Sequence, residues 1–339
     1  MGCVHPTSST TRMPCRALRV RRTAVAVVTA LTLPLVSACD RADPPPPATS
    51  TSTGPSGPET PTAAPGGPPT LTPAPPAGGE PSTPLPGSRT VRGRASTITG
   101  TVDEATLTAY AAMADRAVAE VSTRWTRTWP RRVSVVAPKD ATQFREQVGR
   151  ADDLSQVAAI TDGPIGPDGR ATGDRIVLNP DAFARLTPEG RQFVLTHEST
   201  HVAVRSSLAG VAPLWLVEGY ADHVGYSASD RRVTELAAPL LEKVADGAGP
   251  TRLPTQGDLD PARGEIAPGY LASWLAVELI ARRHGEPALR RFYEASTVDG
   301  SPAQADTAMD RAFRDVLGTS RADFTKAWLS DLNRLAAPK

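Results

Sequence analysis

Cysteine is almost absent from this 339-residue chain: the three present are Cys3, Cys15 and Cys39, with none beyond. A disulfide framework is therefore excluded for everything after position 39, and a metal bound there must take its ligands from histidine and carboxylate side chains. Histidine is also scarce, at five residues, and aromatics make up only 5%. Charge of one sign is lacking too, since 37 Lys and Arg face 36 Asp and Glu for a formal net charge of +1. With basic residues spread among acidic ones and few aromatics between them, nucleic acid is not an expected partner. Long hydrophobic runs are missing: the strongest, at 24–36, falls short of the ~20 residues needed to span a bilayer.

That short run has a different meaning in its context. Arg16, Arg19, Arg21 and Arg22 precede it, and Ser37-Ala38-Cys39 follow. A basic start, a short apolar stretch and small residues before a cleavage point describe a signal peptide over 1–38. The ending Leu35-Val-Ser-Ala-Cys39 resembles a bacterial lipobox, which makes Cys39 the expected lipidated first residue of the mature chain and the outer face of the cell membrane its expected location. Residues 39–96, rich in Pro, Thr, Ser and Gly, cannot bury enough apolar surface to fold and read as a tether. At ~3.1 Å per residue where polyproline-like, such a segment reaches over ~100 Å. The folded unit is then expected at 97–339, long enough to build a core without disulfides.

Within it the patterning is mostly helical. A long helix is expected at 102–125, a strand at 132–136, a helix at 141–148, and further strands at 157–160 and 175–178 around a Gly/Pro-rich turn. Helices are expected at 230–246, 270–284, 286–296, 303–316 and 321–335. The class is α+β and helix-rich.

Three of the five histidines, His197, His201 and His223, lie within 27 positions of one another. In His197-Glu198-Ser199-Thr200-His201, positions i and i+4 share one helical face, so both imidazoles can point at one ion with a carboxylate beside them. Glu218, 17 residues after His201, belongs to the next helix and can supply a third ligand, leaving the fourth position for water. Asp222, one turn beyond Glu218, can accept a hydrogen bond from the other nitrogen of His197 and so fix its tautomer. A plain amphipathic helix with two satisfied histidines leaves Glu218 unexplained. Trp215 and Leu216 read as the core anchor that docks the Glu218 helix, His223 as a residue facing away from the metal, and His284 as part of a basic helix C-terminus.

With LTHESTHVAV at 195–204 and WLVEGYADHVG at 215–225, the chain resembles the gluzincin metallopeptidases, and among them the bacterial peptidase MA-like domains. The resemblance implies a zincin-like fold, with a small mixed sheet over the HExxH helix and an α-helical C-terminal lobe. It makes His197, His201 and Glu218 the ligands of one Zn2+, Glu198 the general base and Asp222 the partner of a ligand. It also implies that the strand before the zinc helix, Arg175, Ile176, Val177, Leu178 and Asn179, is the edge that pairs with a peptide or protein substrate. No Gly-x-Met-Glu-Asn element precedes the motif, so aminopeptidase activity is not implied. Val204 and Ser207 stand where a metzincin has its glycine and third histidine.

The implied chemistry is hydrolysis in which zinc acidifies a water and Glu198 takes its proton. The oxyanion needs a further donor, for which the chain offers Tyr270, His223, Tyr220, Tyr226 and several arginines. Tyr270, opening an apolar helix after Pro268-Gly269, is the preferred one. The other reading is a lipoprotein that keeps this fold without activity, as a binding or envelope-assembly module. Retention of Glu198 favours the enzyme.

Overall fold

The computed structural model describes residues 25–27, 85–149, 154, 157–260 and 263–337. Cys39, most of the expected signal peptide and the tether up to 84 lie outside the described residues. Strand Arg89–Arg92, the first residue of strand Ser96–Gly100 and the buried Leu85 lie before position 97, so the sheet takes in about a dozen residues that composition assigns to the tether.

The elements run β1 (Val25–Val27), β2 (Arg89–Arg92), β3 (Ser96–Gly100), α1 (Glu104–Arg124), β4 (Val133–Ala137), α2 (Ala141–Val148), β5 (Ala159–Asp162), β6 (Arg175–Leu178), α3 (Pro180–Ala184) and α4 (Pro188–Ser207). There follow α5 (Leu214–Tyr226), α6 (Val233–Leu236), α7 (Ala238–Ala245), a 3-10 turn at Gln256–Leu259, α8 (Ala267–His284), α9 (Glu286–Ala295), α10 (Pro302–Asp315) and α11 (Arg321–Ala336). The fold is α+β: a small mixed sheet comes first and helices complete the chain. Among the described residues no helix is long and apolar enough to cross a membrane.

Five strands form the sheet in the order β5-β6-β4-β3-β2, and β1 adds a short sixth beyond β5. β3, β4 and β6 are parallel, while β2 and β5 pair antiparallel at either side. This order corrects the expectation for 175–179. β6 is bonded to β4 through Val135↔Ile176 and to β5 through Ile160↔Val177, so both its sides are taken and it has no edge to offer a substrate. The strand beside the outer edge is β5, covered over Val25–Val27 by β1. Residues 25–27 fall inside the segment read as a signal peptide.

α4 lies under this sheet, against α1 on one flank and α5 on another. Its start is dictated locally: Thr187 caps the helix by accepting from the Gly190 amide, and Pro188 fits the first turn, where its missing N–H costs nothing. From Phe193 to Val204 every residue is buried, polar ones included, so α4 is a core helix and not an amphipathic one. α5 docks through Trp215 and Leu216, 3% and 0% exposed. The turn between the helices is held by Gly210, at φ +112, where a Cβ would meet the Val298 carbonyl at 2.5 Å, and by the bridge Val211↔Val298. Trp125 packs edge-on against Tyr220 and Tyr293 and donates from Nε1 to Ser207 at 2.8 Å, tying the end of α1 to the end of α4. The helix expected at 230–246 is two, α6 and α7, because Pro239 opens α7 and cannot continue a helix through itself.

Candidate metal centre

α4 and α5 place three ligating side chains at one point. His197 and His201, one turn apart, bring their Nε2 atoms to 2.8 Å. Glu218 Oε2 lies 3.3 Å from His197 Nε2 and 3.6 Å from His201 Nε2. For ligands at ~2.0–2.1 Å from a tetrahedral ion the edge between two donors is ~3.3 Å, so both carboxylate distances suit zinc, and the imidazole pair needs only a slight opening. All three side chains are buried.

The second contact of His197 sets its chemistry. Asp222, on the same face of α5 as Glu218, accepts from Nδ1 at 2.7 Å, which leaves the lone pair on Nε2 facing the other two donors. Burial pushes the His197 imidazole down to about 3 and holds His201 well below its ordinary value, so both are neutral ligands at pH 7. Burial pushes the carboxyls of Glu218 and Asp222 well up, and for Glu218 the charges of Asp222 and Glu198 add to it. Glu218 Oε2 is buried and receives no hydrogen bond. An orphaned carboxylate oxygen facing two neutral imidazoles is a costly arrangement unless a cation sits among them, and a divalent ion satisfies all three at once. The donor set, two imidazoles and one carboxylate, matches the composition of a zinc site with an open position.

Glu198 points to the sheet side of α4. Its Oε2 accepts from the Thr161 hydroxyl on β5, while Oε1 is buried without a partner. Burial raises its carboxyl, opposed by the Thr161 hydrogen bonds and by Arg205. Arg205, two turns along α4, binds both oxygens of the buried Asp174, at 2.8 and 3.0 Å, and so fixes the strand-bearing segment to the helix. Thr161, Asp174 and Arg205 carry no motif. A threonine in a strand and an Asp–Arg pair 31 positions apart give no local signal.

Among Tyr270, His223, Tyr220 and Tyr226, Tyr270 is the one whose phenol feels the charges of Glu218, Asp222 and Glu198 together. Burial raises its phenol well above the usual range, with Glu218, Asp222 and Glu198 adding to the rise, and the hydroxyl is therefore a protonated donor. Tyr220 is committed to the core against Trp125 and Tyr293, and Tyr226 to Phe193 and Trp274. His223 faces away, clamped between Glu278 at Nδ1 and Glu286 at Nε2, both at 2.8 Å, which lifts it to about 9 despite burial. It is an imidazolium joining α5, α8 and α9. The strand residues Arg175, Ile176, Val177 and Leu178 support β5 from behind, and Asn179 caps α3. No protein-family model matches this chain, and no curated protein matches it significantly.

Proposed function

We propose that this protein is a zinc-dependent metallopeptidase of the gluzincin type with a zincin-like fold, an endopeptidase held at the outer face of the cell membrane by lipid on Cys39. The observation that carries the reading is the buried, orphaned Glu218 oxygen 3.3 and 3.6 Å from two imidazole nitrogens. His197, His201 and Glu218 would hold the ion, and Asp222 would keep His197 in the ligating tautomer. Bound there, zinc supplies the Lewis acidity that makes a water nucleophilic near neutral pH. Glu198, next in sequence to His197, would be the base that takes a proton from the attacking water and passes it to the leaving amine. The Tyr270 hydroxyl donates to the oxygen on which negative charge develops. An extended peptide or protein segment would add to β5 in the place that β1 takes, β1 lying in the segment expected to be removed as a signal peptide. A catalytically silent binding module would have no use for Glu198, which is buried at a cost and held by one hydrogen bond.

The test is cleavage of a mixed peptide library by the full-length protein beside Glu198→Gln. Cleavage by the wild type that stops with a chelator, returns with zinc and is absent from the variant is the expected result. Equal cleavage by both, or none by a zinc-loaded wild type, would remove the peptidase reading.

A further inference from the structure

We infer that Thr161 is a positioning residue for Glu198. Thr161 lies at the middle of the β5 pairing with β6, opposite Ile176, and is fully buried. Its Oγ1 has one hydrogen and two acceptors within reach: Glu198 Oε2, and the backbone carbonyl of the same residue at 3.2 Å. The side-chain oxygen wins, being the nearer of the two acceptors. No other hydrogen bond reaches that carboxylate among the described residues, and Oε1 has none. One oxygen is thus tied to the sheet and the torsions of the side chain are set, so that Oε1 alone is left for a water proton.

The carbonyl beside it gives the hydroxyl a second place to donate. The main-chain acceptor keeps the hydroxyl satisfied even without the side chain, so the Thr161–Glu198 bond orients the carboxyl at no cost in orphaned donors. Because Thr161 belongs to the outermost strand of the five-stranded sheet, the strand that would receive an extended substrate is also the one that aims the base. The consequence for rate rests on the peptidase reading; the anchoring itself does not.

Two measurements on the full-length protein test this. In the metal-free protein, unfolding midpoints are compared for wild type, Thr161→Val, Glu198→Ala and the double variant. Thr161→Val is expected to lower the midpoint clearly when Glu198 is present, and little when Glu198 is Ala, since only then is no buried carboxylate left unpartnered. With zinc and a peptide substrate, Thr161→Val is expected to lower kcat roughly tenfold or more with KM within about twofold, while Thr161→Ser, which keeps the hydroxyl, stays within about threefold of wild type. Additive midpoints overturn the inference whether or not peptides are cut, as does an active enzyme whose kcat ignores Thr161→Val. Non-additive midpoints in a zinc-loaded chain that cuts no peptide uphold the anchor and remove the peptidase reading instead.

Discussion

Asp222 accepts the Nδ1 hydrogen of His197 at 2.7 Å, and that one bond decides which nitrogen faces Glu218 and His201. Without it a neutral imidazole can place its hydrogen on Nε2 and present a donor where a lone pair is needed. Asp222→Ala is expected to weaken zinc binding by about 10- to 100-fold, measured by competition with a chromogenic chelator. Unchanged affinity would mean that His197 is oriented by packing alone.

Glycine is required beside Glu218. A Cβ on Gly219 would meet the Ser273 carbonyl at 2.5 Å and Val277 at 2.9 Å, where α5 crosses α8. Gly219→Ala must push the helices apart and carry Glu218 with α5. A loss of about 1–3 kcal/mol in chemical denaturation is expected, together with weaker zinc binding. A stability loss with full zinc affinity would show that Glu218 moves independently of α5.

His223 gives the protein a pH dependence of known sign. Its folded value of about 9 stands above the ordinary 6.5, raised by hydrogen bonds and charge from Glu278 and Glu286 against the cost of burial. The stability it contributes is complete below pH 6.5 and is lost as pH rises through about 9. The difference in unfolding free energy between wild type and His223→Gln, followed at constant zinc from pH 6 to 10, is expected to shrink over that window. A difference that stays level or grows with pH would contradict the ion pairs.

Much of this arrangement was legible in the chain because it is local. His197 and His201 are one helical turn apart, as are Glu218 and Asp222, and helix geometry alone puts each pair on one face. That the two faces meet depends on the turn at Gly210, which only the pairing of Val211 with Val298 explains. The sheet order was not legible. β6 precedes α4 in sequence, yet β5 crosses to its far side, so adjacency in the chain pointed to an interior strand instead of the outer one. Strands β2 and β3 sit in a Thr- and Ser-rich stretch with little apolar alternation; β2 is exposed at three of four positions and takes its place through backbone pairing to β3. Thr161 meets Glu198 across 37 residues, a contact that no spacing rule encodes.

Metal removal should be felt throughout the fold, since an ion held by His197, His201 and Glu218 would join α4 to α5 as the core already does. Free zinc at about 100 times its dissociation constant adds roughly 2.7 kcal/mol to stability. The melting temperature of wild type is therefore expected to fall on addition of chelator, and that of Glu218→Ala to stay unchanged. An equal fall in both would place the ion elsewhere.

The central claim, that His197, His201 and Glu218 form a zinc site, is tested most directly by the zinc content of the purified full-length protein, wild type beside His201→Ala and Glu198→Gln. The account predicts one zinc per chain in wild type and in Glu198→Gln, and almost none in His201→Ala. A zinc-free wild type after dialysis against zinc, or a His201→Ala that keeps its zinc, would contradict it.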